Sequence, residues 1–127
     1  MIIGKEYHFD AAHIIAGHPK CGKIHGHTWT LTVMINGEVN WHTGFVIDFH
    51  DLNALVRPLI EYVDHTMLNE TIAYRPLTCE TLAIWFANRL RMDDANAIIK
   101  GKIGIRLQEG LGGWCEVWEE EFEDENR

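Results

Sequence analysis

The chain has 127 residues, of which 46% are hydrophobic and 24% charged, and this composition is typical of a globular protein with one domain. Its formal net charge is −8, which argues against a nucleic-acid-binding surface, since such a surface is basic. No apolar run is long enough for a transmembrane helix, and the N-terminus lacks the apolar segment and cleavage site of a signal peptide. We therefore expect a single cytoplasmic domain over residues 1–127, with no nucleic-acid or membrane partner.

The cysteines, histidines and acidic residues each restrict the interpretation. Cys21, Cys79 and Cys115 form no CxxC pair, so the sequence does not predict a disulfide scaffold. Eight histidines are many for this length, and histidine is both a metal ligand and a proton carrier near neutral pH. Much of the negative charge lies in residues 119–125, which we interpret as a strand end and a solvated acidic tail from about residue 119.

The first half of the chain predicts two strands and a helix. Residues 2–9 and 25–37 are rich in β-branched and aromatic side chains, with alternation that is clearest in the second segment. Asp48 is a good N-cap, and apolar residues follow it at helical spacing as far as Val63. Pro58 lies inside this pattern and predicts a kink or an early end.

The second half predicts one more helix and two closing strands. Thr78 is an N-cap residue in front of an apolar stripe that extends to Leu90. Residues 101–107 and 114–122 alternate again and are joined by a glycine-rich turn. The order ββααββ predicts an α+β fold in which two helices cover one face of a four-stranded antiparallel sheet. The open edges of such a small sheet favour an oligomer.

A pair of histidines separated by one residue begins the second predicted strand. His25 and His27 project from the same face of a strand, so both imidazoles can bind one ion. His13 follows the first strand and is the best third ligand, while His8 and His18 are competing candidates. Three protein ligands and an open position are typical of catalytic zinc. The alternative is a pair of surface histidines on an edge strand.

Two further groups have the chemistry for proton transfer. Cys21 lies between Lys20 and Lys23, and positive charge favours the reactive thiolate form of a cysteine. Asp64 and His65 close the first helix, and an aspartate beside a histidine can orient the imidazole for acid–base chemistry. An ordinary loop cysteine and a histidine placed on the helix dipole are the alternative interpretations.

Glu109 follows a predicted strand and precedes the glycine-rich turn. A carboxylate at this position can accept two hydrogen bonds from an amidine-like edge of a heterocycle, and a solvated strand-end carboxylate is the alternative. Each of these groups has an ordinary structural explanation when it is taken alone. Their combination along one chain is far more specific.

Taken together and in this order, the segments resemble the 6-pyruvoyl-tetrahydropterin synthase superfamily. The matching segments are Phe9–His13, Cys21–His27, Gly44–Leu52, Val63–Asn69, Thr78–Glu80 and Leu107–Glu109. The resemblance implies the tunnelling fold, or T-fold, in which trimers form a barrel and two trimers stack into a homohexamer. It also implies that the active sites lie between subunits.

The resemblance assigns a role to each of the candidate groups. The three histidines proposed above match the family's zinc ligands, so Zn²⁺ is the implied cofactor. Cys21 matches the catalytic thiol, and Asp64 and His65 match the other members of the proton-transfer set. The implied substrate is a small molecule, 7,8-dihydroneopterin triphosphate or a relative of it.

The pterin ring has its own implied binding residues. Glu109 matches the carboxylate that anchors the ring, and Thr78 and Glu80 match the segment that lines the pocket. Residues 76–80 contain one more residue between proline and threonine than the usual family pattern, so the shape of this pocket is less well defined.

The short loop between His13 and His25 resembles the queuosine-pathway branch of the family. That branch is a lyase that forms 6-carboxy-5,6,7,8-tetrahydropterin with loss of acetaldehyde and triphosphate. The alternative branch is the 6-pyruvoyl-forming synthase. Retention of Cys21 argues against a third branch, which has a carboxylate at this position and makes a hydroxymethyl pterin.

Two functions from other classes are kept as rivals. A zinc hydrolase could use the same three histidines and a metal-bound water, but it would have little use for Cys21. A non-catalytic T-fold module could hold a pterin or purine through Glu109. Such a module would not need Cys21, Asp64 and His65 together.

Overall fold

A computed structural model of the chain describes residues 1–122. It contains, in chain order, the elements β1 Ile2–His13, β2 His25–Asn36, α1 Phe49–Val63, β3 Thr66–Met67, α2 Leu68–Thr71, α3 Cys79–Asp93, β4 Lys102–Glu109 and β5 Trp114–Trp118. Residues 123–125 of the predicted acidic tail lie outside the described residues. No helix among the described residues is long and apolar enough to cross a membrane.

The strands form one mixed sheet in the order β3-β1-β2-β4-β5. The four long strands are antiparallel neighbours, whereas β3 pairs in parallel with β1 through Ala11 and Thr66. The α+β class is therefore confirmed, but the four-stranded antiparallel sheet with the order ββααββ is wrong. The described residues contain a fifth strand and a third helix, and both are too short to show a hydrophobic period.

The two long helices begin at the residues that the sequence predicted as caps. The Asp48 carboxylate accepts the backbone N–H of His50 at 2.8 Å, and Thr78 forms a reciprocal capping box with Thr81. Helix α1 continues through Pro58 to Val63, so the predicted early end does not occur. These caps fix the starts of both helices against the sheet.

One face of the sheet forms the hydrophobic core with the helices. Alternate residues of β1, β2 and β4 face this core, because side chains along a strand point to opposite faces in turn. The buried strand residues include Tyr7, Phe9, Trp29, Leu31, Ile105 and Leu107. His13, His27 and Glu109 continue the same alternation at one end of the sheet. The core face therefore ends in polar side chains with metal-binding and acid–base chemistry.

A second polar group lies at the other end of β4, and we call it the Arg91–Glu119 cluster. The Arg91 guanidinium donates to both Glu119 oxygens, at 2.7 and 3.0 Å, and to the carbonyl oxygens of Ile99 and Gly101. The backbone N–H of Ile103 also donates to Glu119 at 2.7 Å. Burial alone would raise the pKa of Glu119, but the hydrogen bonds from Arg91 and Ile103 outweigh it and lower the pKa. Glu119 thus joins the end of β5 to α3.

Candidate active site

Three histidine rings converge at the end of β1 and the start of β2. His13 lies directly opposite His25 in the antiparallel register, and His27 lies opposite Ala11. The centroids of the three rings are 4.5 to 5.4 Å apart. One nitrogen of each ring lies within 4.8 Å of the others, so the three can bind one ion. The structure therefore brings together the three histidines that the sequence singled out.

Backbone carbonyl groups orient two of these rings. His13 Nδ1 is 3.0 Å from the carbonyl oxygen of Leu77, and His25 Nδ1 is 2.8 Å from that of Lys23. A ring held through Nδ1 presents Nε2, and metal-binding histidines are commonly fixed by such a contact. Trp29 packs edge-on against His13 with ring centroids 5.2 Å apart. The rings are therefore held in place by the protein's own contacts.

The nitrogens that these rings present are not satisfied by the protein. His13 Nε2 and His27 Nε2 are buried side-chain nitrogens without a hydrogen-bond partner among the described residues. A buried polar atom without a partner costs stability, so such an atom calls for a ligand. Burial lowers the pKa of His13, which favours the neutral imidazole that binds metals. The donor set and its unsatisfied nitrogens fit a zinc ion.

Glu109 lies between the histidines and a neighbouring cavity. Its two carboxylate oxygens are 3.2 Å from His27 Nε2 and 3.8 Å from His13 Nε2. The shorter contact does not satisfy His27 Nε2, which has no hydrogen-bond partner among the described residues. Thr78 and Glu80 line the same cavity of about 510 Å³ as Glu109. The structure thus places the predicted pterin-binding residues together and next to the histidines.

The proposed acid–base pair lies in the turn between α1 and β3. Asp64 Oδ2 is 3.0 Å from His65 Nδ1, and the backbone N–H of Asp10 donates to Asp64 Oδ1 at 2.9 Å. The contact with Asp10, and then that with His65, lowers the pKa of Asp64. His65 has a φ of 58° and is 78% exposed, so it presents its ring to solvent. His65 and His27 line a second cavity, of about 530 Å³.

Cys21 lies in the loop that joins β1 to β2. Its backbone N–H donates to His18 Nδ1 at 2.8 Å, and its carbonyl oxygen accepts the N–H of Ile15. His18, a competing third metal ligand in the sequence, thus holds the turn that carries Cys21. His8, the other competitor, is paired with Thr30. Neither belongs to a group that could hold a metal ion among the described residues.

Two contacts that support the histidines could not be found from the sequence. The Leu77 carbonyl oxygen that holds His13 is a backbone atom, so no residue type signals it. The Asn69 side chain accepts the N–H of Ile14 at 2.8 Å and donates to its carbonyl oxygen at 3.0 Å. Asn69 thereby fixes the backbone next to His13. Asn69 lies in one of the segments that carried the family resemblance, which was the only sequence signal for it.

The sequence pattern of the family described as "6-pyruvoyl tetrahydropterin synthase" matches residues 2–120 of this chain. The chain belongs to the 6-pyruvoyl tetrahydropterin synthase family. A 6-carboxy-5,6,7,8-tetrahydropterin synthase of Haemophilus influenzae is 32% identical over 143 residues, with 92% of this chain and 98% of that protein covered. A protein of Archaeoglobus fulgidus, provisionally named for the same activity, is 38% identical over 117 residues, covering 92% and 95%.

Proteins with other names are also similar to this chain. A dihydroneopterin monophosphate aldolase of Pyrococcus furiosus is 37% identical over 83 residues, which cover 65% of this chain and 68% of the aldolase. The solved structure of Caenorhabditis elegans 6-pyruvoyl tetrahydropterin synthase superposes with a TM-score of 0.80. That match covers 92% of this chain and 94% of the other at 22% identity, so it establishes the shared fold alone.

Proposed function

We propose that this chain is a zinc-dependent lyase acting on 7,8-dihydroneopterin triphosphate. Its products would be 6-carboxy-5,6,7,8-tetrahydropterin, acetaldehyde and triphosphate. The observation that carries the proposal is the centre of three converging histidines with two buried, unpartnered Nε2 atoms. The similarity to synthases of this name over nearly the whole chain supports the choice of substrate. The same names support a place in queuosine or related deazapurine biosynthesis.

His13, His25 and His27 would hold the zinc ion through three imidazole nitrogens. When bound, zinc supplies Lewis acidity, which polarises the side-chain oxygens of the pterin and acidifies the neighbouring C–H bonds. The Leu77 and Lys23 carbonyl groups would keep two of the rings aimed at the metal. Since His13 is fully buried, its ring would also keep water from the inner side of the centre.

Cys21 would take a proton from the substrate side chain and return it at a later step. Lys20 and Lys23 flank Cys21 in the chain. His18 accepts the backbone N–H groups of both Lys20 and Cys21, so it would fix the turn that presents the thiol. The turn belongs to the loop that joins the end of β1, where His13 lies, to the start of β2, where His25 lies.

His65 would be the partner acid–base group, with Asp64 as its positioning residue. The contact at 3.0 Å fixes the imidazole tautomer, since Asp64 accepts the Nδ1–H and leaves Nε2 to exchange protons. The Asp10 N–H keeps Asp64 ionised and in place. Because His65 is mostly exposed, its ring can reach a substrate in the cavity that it shares with His27.

The cavity lined by Thr78, Glu80 and Glu109 would hold the pterin ring. The Glu109 carboxylate can accept two parallel N–H hydrogen bonds from the amidine-like edge of the ring. Its position beside His27 would place the pterin side chain at the metal centre. The cavity volume of about 510 Å³ is within the range for small-molecule sites.

A homohexamer built from two trimers, with active sites between subunits, is part of the proposal. Several large apolar side chains are exposed in the single chain, and such exposure favours burial against other subunits. They include Trp41, Leu111, Met92 and Trp114. Trp114 also lines the proposed pterin cavity, so a neighbouring subunit at this edge would complete the cavity wall.

The name of the Pyrococcus furiosus relative makes aldolase chemistry a second candidate. The residue at position 21 discriminates between the two, because the hydroxymethyl-forming branch is expected to carry a carboxylate where this chain has Cys21. The pyruvoyl-forming reaction differs from the carboxy-forming reaction only in what becomes of the side chain of the pterin substrate. The histidine centre serves either reaction, so product identification must decide.

The test is an anaerobic incubation of the zinc-loaded protein with 7,8-dihydroneopterin triphosphate, followed by mass spectrometry. We expect a 6-carboxy-tetrahydropterin and acetaldehyde in equal amounts. A 6-pyruvoyl product would move the chain to the biopterin-type synthases, and a hydroxymethyl pterin would move it to the aldolases. Absence of turnover with zinc bound and the oligomer intact would overturn the lyase and favour a binding module.

A further inference from the structure

Two half-buried cysteines meet where the first turn of α3 packs against β5. The Sγ atoms of Cys79 and Cys115 are 3.7 Å apart, and both residues are free thiols. The Cys79 thiol also lies 3.3 Å from the carbonyl oxygen of Leu107, the residue that pairs with Cys115 across the two strands. The proposed lyase reaction uses neither thiol.

Both thiols line the cavity that the proposed function assigns to the pterin ring. Cys79 stands between Thr78 and Glu80 in the chain, and all three contribute to the cavity wall with Glu109. Cys115 forms the part of the wall that β5 supplies. Since each cysteine is only partly buried, a small reagent that enters the cavity can reach the pair.

We propose that Cys79 and Cys115 form a reversible intrachain disulfide that controls the shape of this cavity. A disulfide bond is about 2.05 Å long, so the two sulfur atoms must approach each other by roughly 1.7 Å. Helix α3 begins at Cys79, so this movement draws Thr78 and Glu80 towards β5. The reduced chain has the cavity open, and the oxidised chain has it narrowed.

The oxidant in this proposal is a low-molecular-weight disulfide. The contact with Cys79 lowers the pKa of the Cys115 thiol, which makes Cys115 the attacking thiolate. Attack by Cys115 breaks the sulfur–sulfur bond of the reagent, forms a mixed disulfide and releases one thiolate. Cys79 then loses its proton and attacks the Cys115 sulfur, which releases the second thiol of the reagent. Two protein thiols are oxidised by two electrons, and one disulfide is reduced to two thiols.

The cross-link is tested by treating the full-length, zinc-loaded protein with oxidised glutathione and mapping its peptides by mass spectrometry. We expect the peptides of Cys79 and Cys115 to be linked, with the loss of two hydrogens, and to separate with dithiothreitol. Cys21→Ser should form the same link, whereas Cys79→Ser and Cys115→Ser should not. A link to Cys21, a link between chains, or glutathione adducts without the internal link would overturn the proposal.

Control of the cavity depends on the proposed function and is measured separately. The probe is 6-carboxypterin, titrated by fluorescence in the Cys21→Ser background so that an adduct at Cys21 cannot contribute. We expect binding to weaken about tenfold or more on oxidation and to recover with dithiothreitol. The double variant with Cys115→Ser, which lacks the attacking thiolate, should bind equally with and without the oxidant.

Equal binding before and after formation of the mapped cross-link would overturn the control of the cavity. Absence of pterin binding by the reduced protein would overturn the proposed function and, with it, this control. The peptide map decides the cross-link in either case, so the failure of one proposal is distinguishable from the failure of the other.

Discussion

The two ends of β4 carry polar groups that differ in how completely they are satisfied. At the start of the strand, Glu119 accepts hydrogen bonds from Arg91 and from the backbone N–H of Ile103. At the end of the strand, the histidine centre leaves the Nε2 atoms of His13 and His27 buried and unpartnered. Both ends lie at the margin of the same hydrophobic core.

The difference separates a structural polar cluster from a site prepared for a ligand. In a satisfied cluster, internal hydrogen bonds offset the free energy lost when the charged groups leave water, so the cluster needs no bound ligand. In the histidine centre, backbone carbonyl groups hold Nδ1 of His13 and of His25, whereas Nε2 of His13 and of His27 has no partner among the described residues. These unpartnered nitrogens destabilise the fold, and a bound cation would remove that destabilisation. Of the two ends of β4, only this one is therefore a candidate metal site.

The largest effect is expected from removing a ligand of the histidine centre. His27→Ala should weaken zinc binding by more than about 100-fold, since even loss of a contact behind a ligand typically costs about 10- to 100-fold. Turnover should be lost with the metal. Zinc content is measured by atomic emission after dialysis, with Glu119→Gln as the matched control that retains its zinc. Full zinc occupancy in His27→Ala would contradict the assignment.

The next prediction separates the proposed metal site from the proposed proton-transfer group. Cys21→Ala should lower kcat by about 10²- to 10⁴-fold, the usual contribution of a positioned acid or base. Zinc affinity should stay unchanged, because Cys21 does not belong to the group of described residues whose ligand atoms could hold the ion. Steady-state kinetics and zinc titration on the same preparation check both statements. Unimpaired turnover would favour the hydrolase, which has no need of this thiol.

Zinc should stabilise the wild-type protein by filling the unsatisfied site. At a free zinc concentration of 100 times Kd, the free energy of unfolding should rise by about 2.7 kcal/mol. The gain should vanish in His27→Ala and persist in Glu119→Gln. Thermal denaturation with and without zinc measures it. An equal gain in wild type and His27→Ala would mean that zinc binds elsewhere.

The smallest effect concerns the satisfied end of the strand. Glu119→Gln should lower the free energy of unfolding by about 1 kcal/mol near pH 7, a modest value because the exposed part of Arg91 is screened by solvent. The pKa of Glu119 is lowered by folding, so its contribution is present above the unfolded value of about 4.3 and is lost as pH falls through the folded value.

The difference between wild type and Glu119→Gln should therefore shrink in acid. Urea denaturation at several pH values measures it. A difference that grew as the pH fell would contradict the role of the ionised carboxylate in holding Arg91.

Local patterns were sufficient to predict much of the fold. Alternation identified β2, and the N-caps Asp48 and Thr78 marked the starts of α1 and α3. Strand β3 could not be predicted, because two residues have no period and their pairing with Ala11 and Ala12 is a tertiary contact. The left-handed backbone at His65, which leads the chain into β3, has no glycine to signal it.

The candidate site, like the fold, could be predicted from the sequence only in part. His25 and His27 were visible from their spacing, and strand alternation accounts for Glu109 on the same face as the histidines. The Leu77 carbonyl contact depends on where a loop backbone passes, which side-chain identity does not encode. The meeting of Cys79 with a cysteine of β5 likewise depends on how α3 packs on the sheet.

X-ray absorption at the zinc edge of the reconstituted protein tests the central claim most directly. Coordination by the three histidines predicts three imidazole nitrogens at about 2.0 to 2.1 Å, one oxygen and no sulfur. A sulfur neighbour at about 2.3 Å would place one of the cysteines on the metal. That result, or fewer than three imidazoles, would contradict the assignment of the unsatisfied end of β4 as the zinc site.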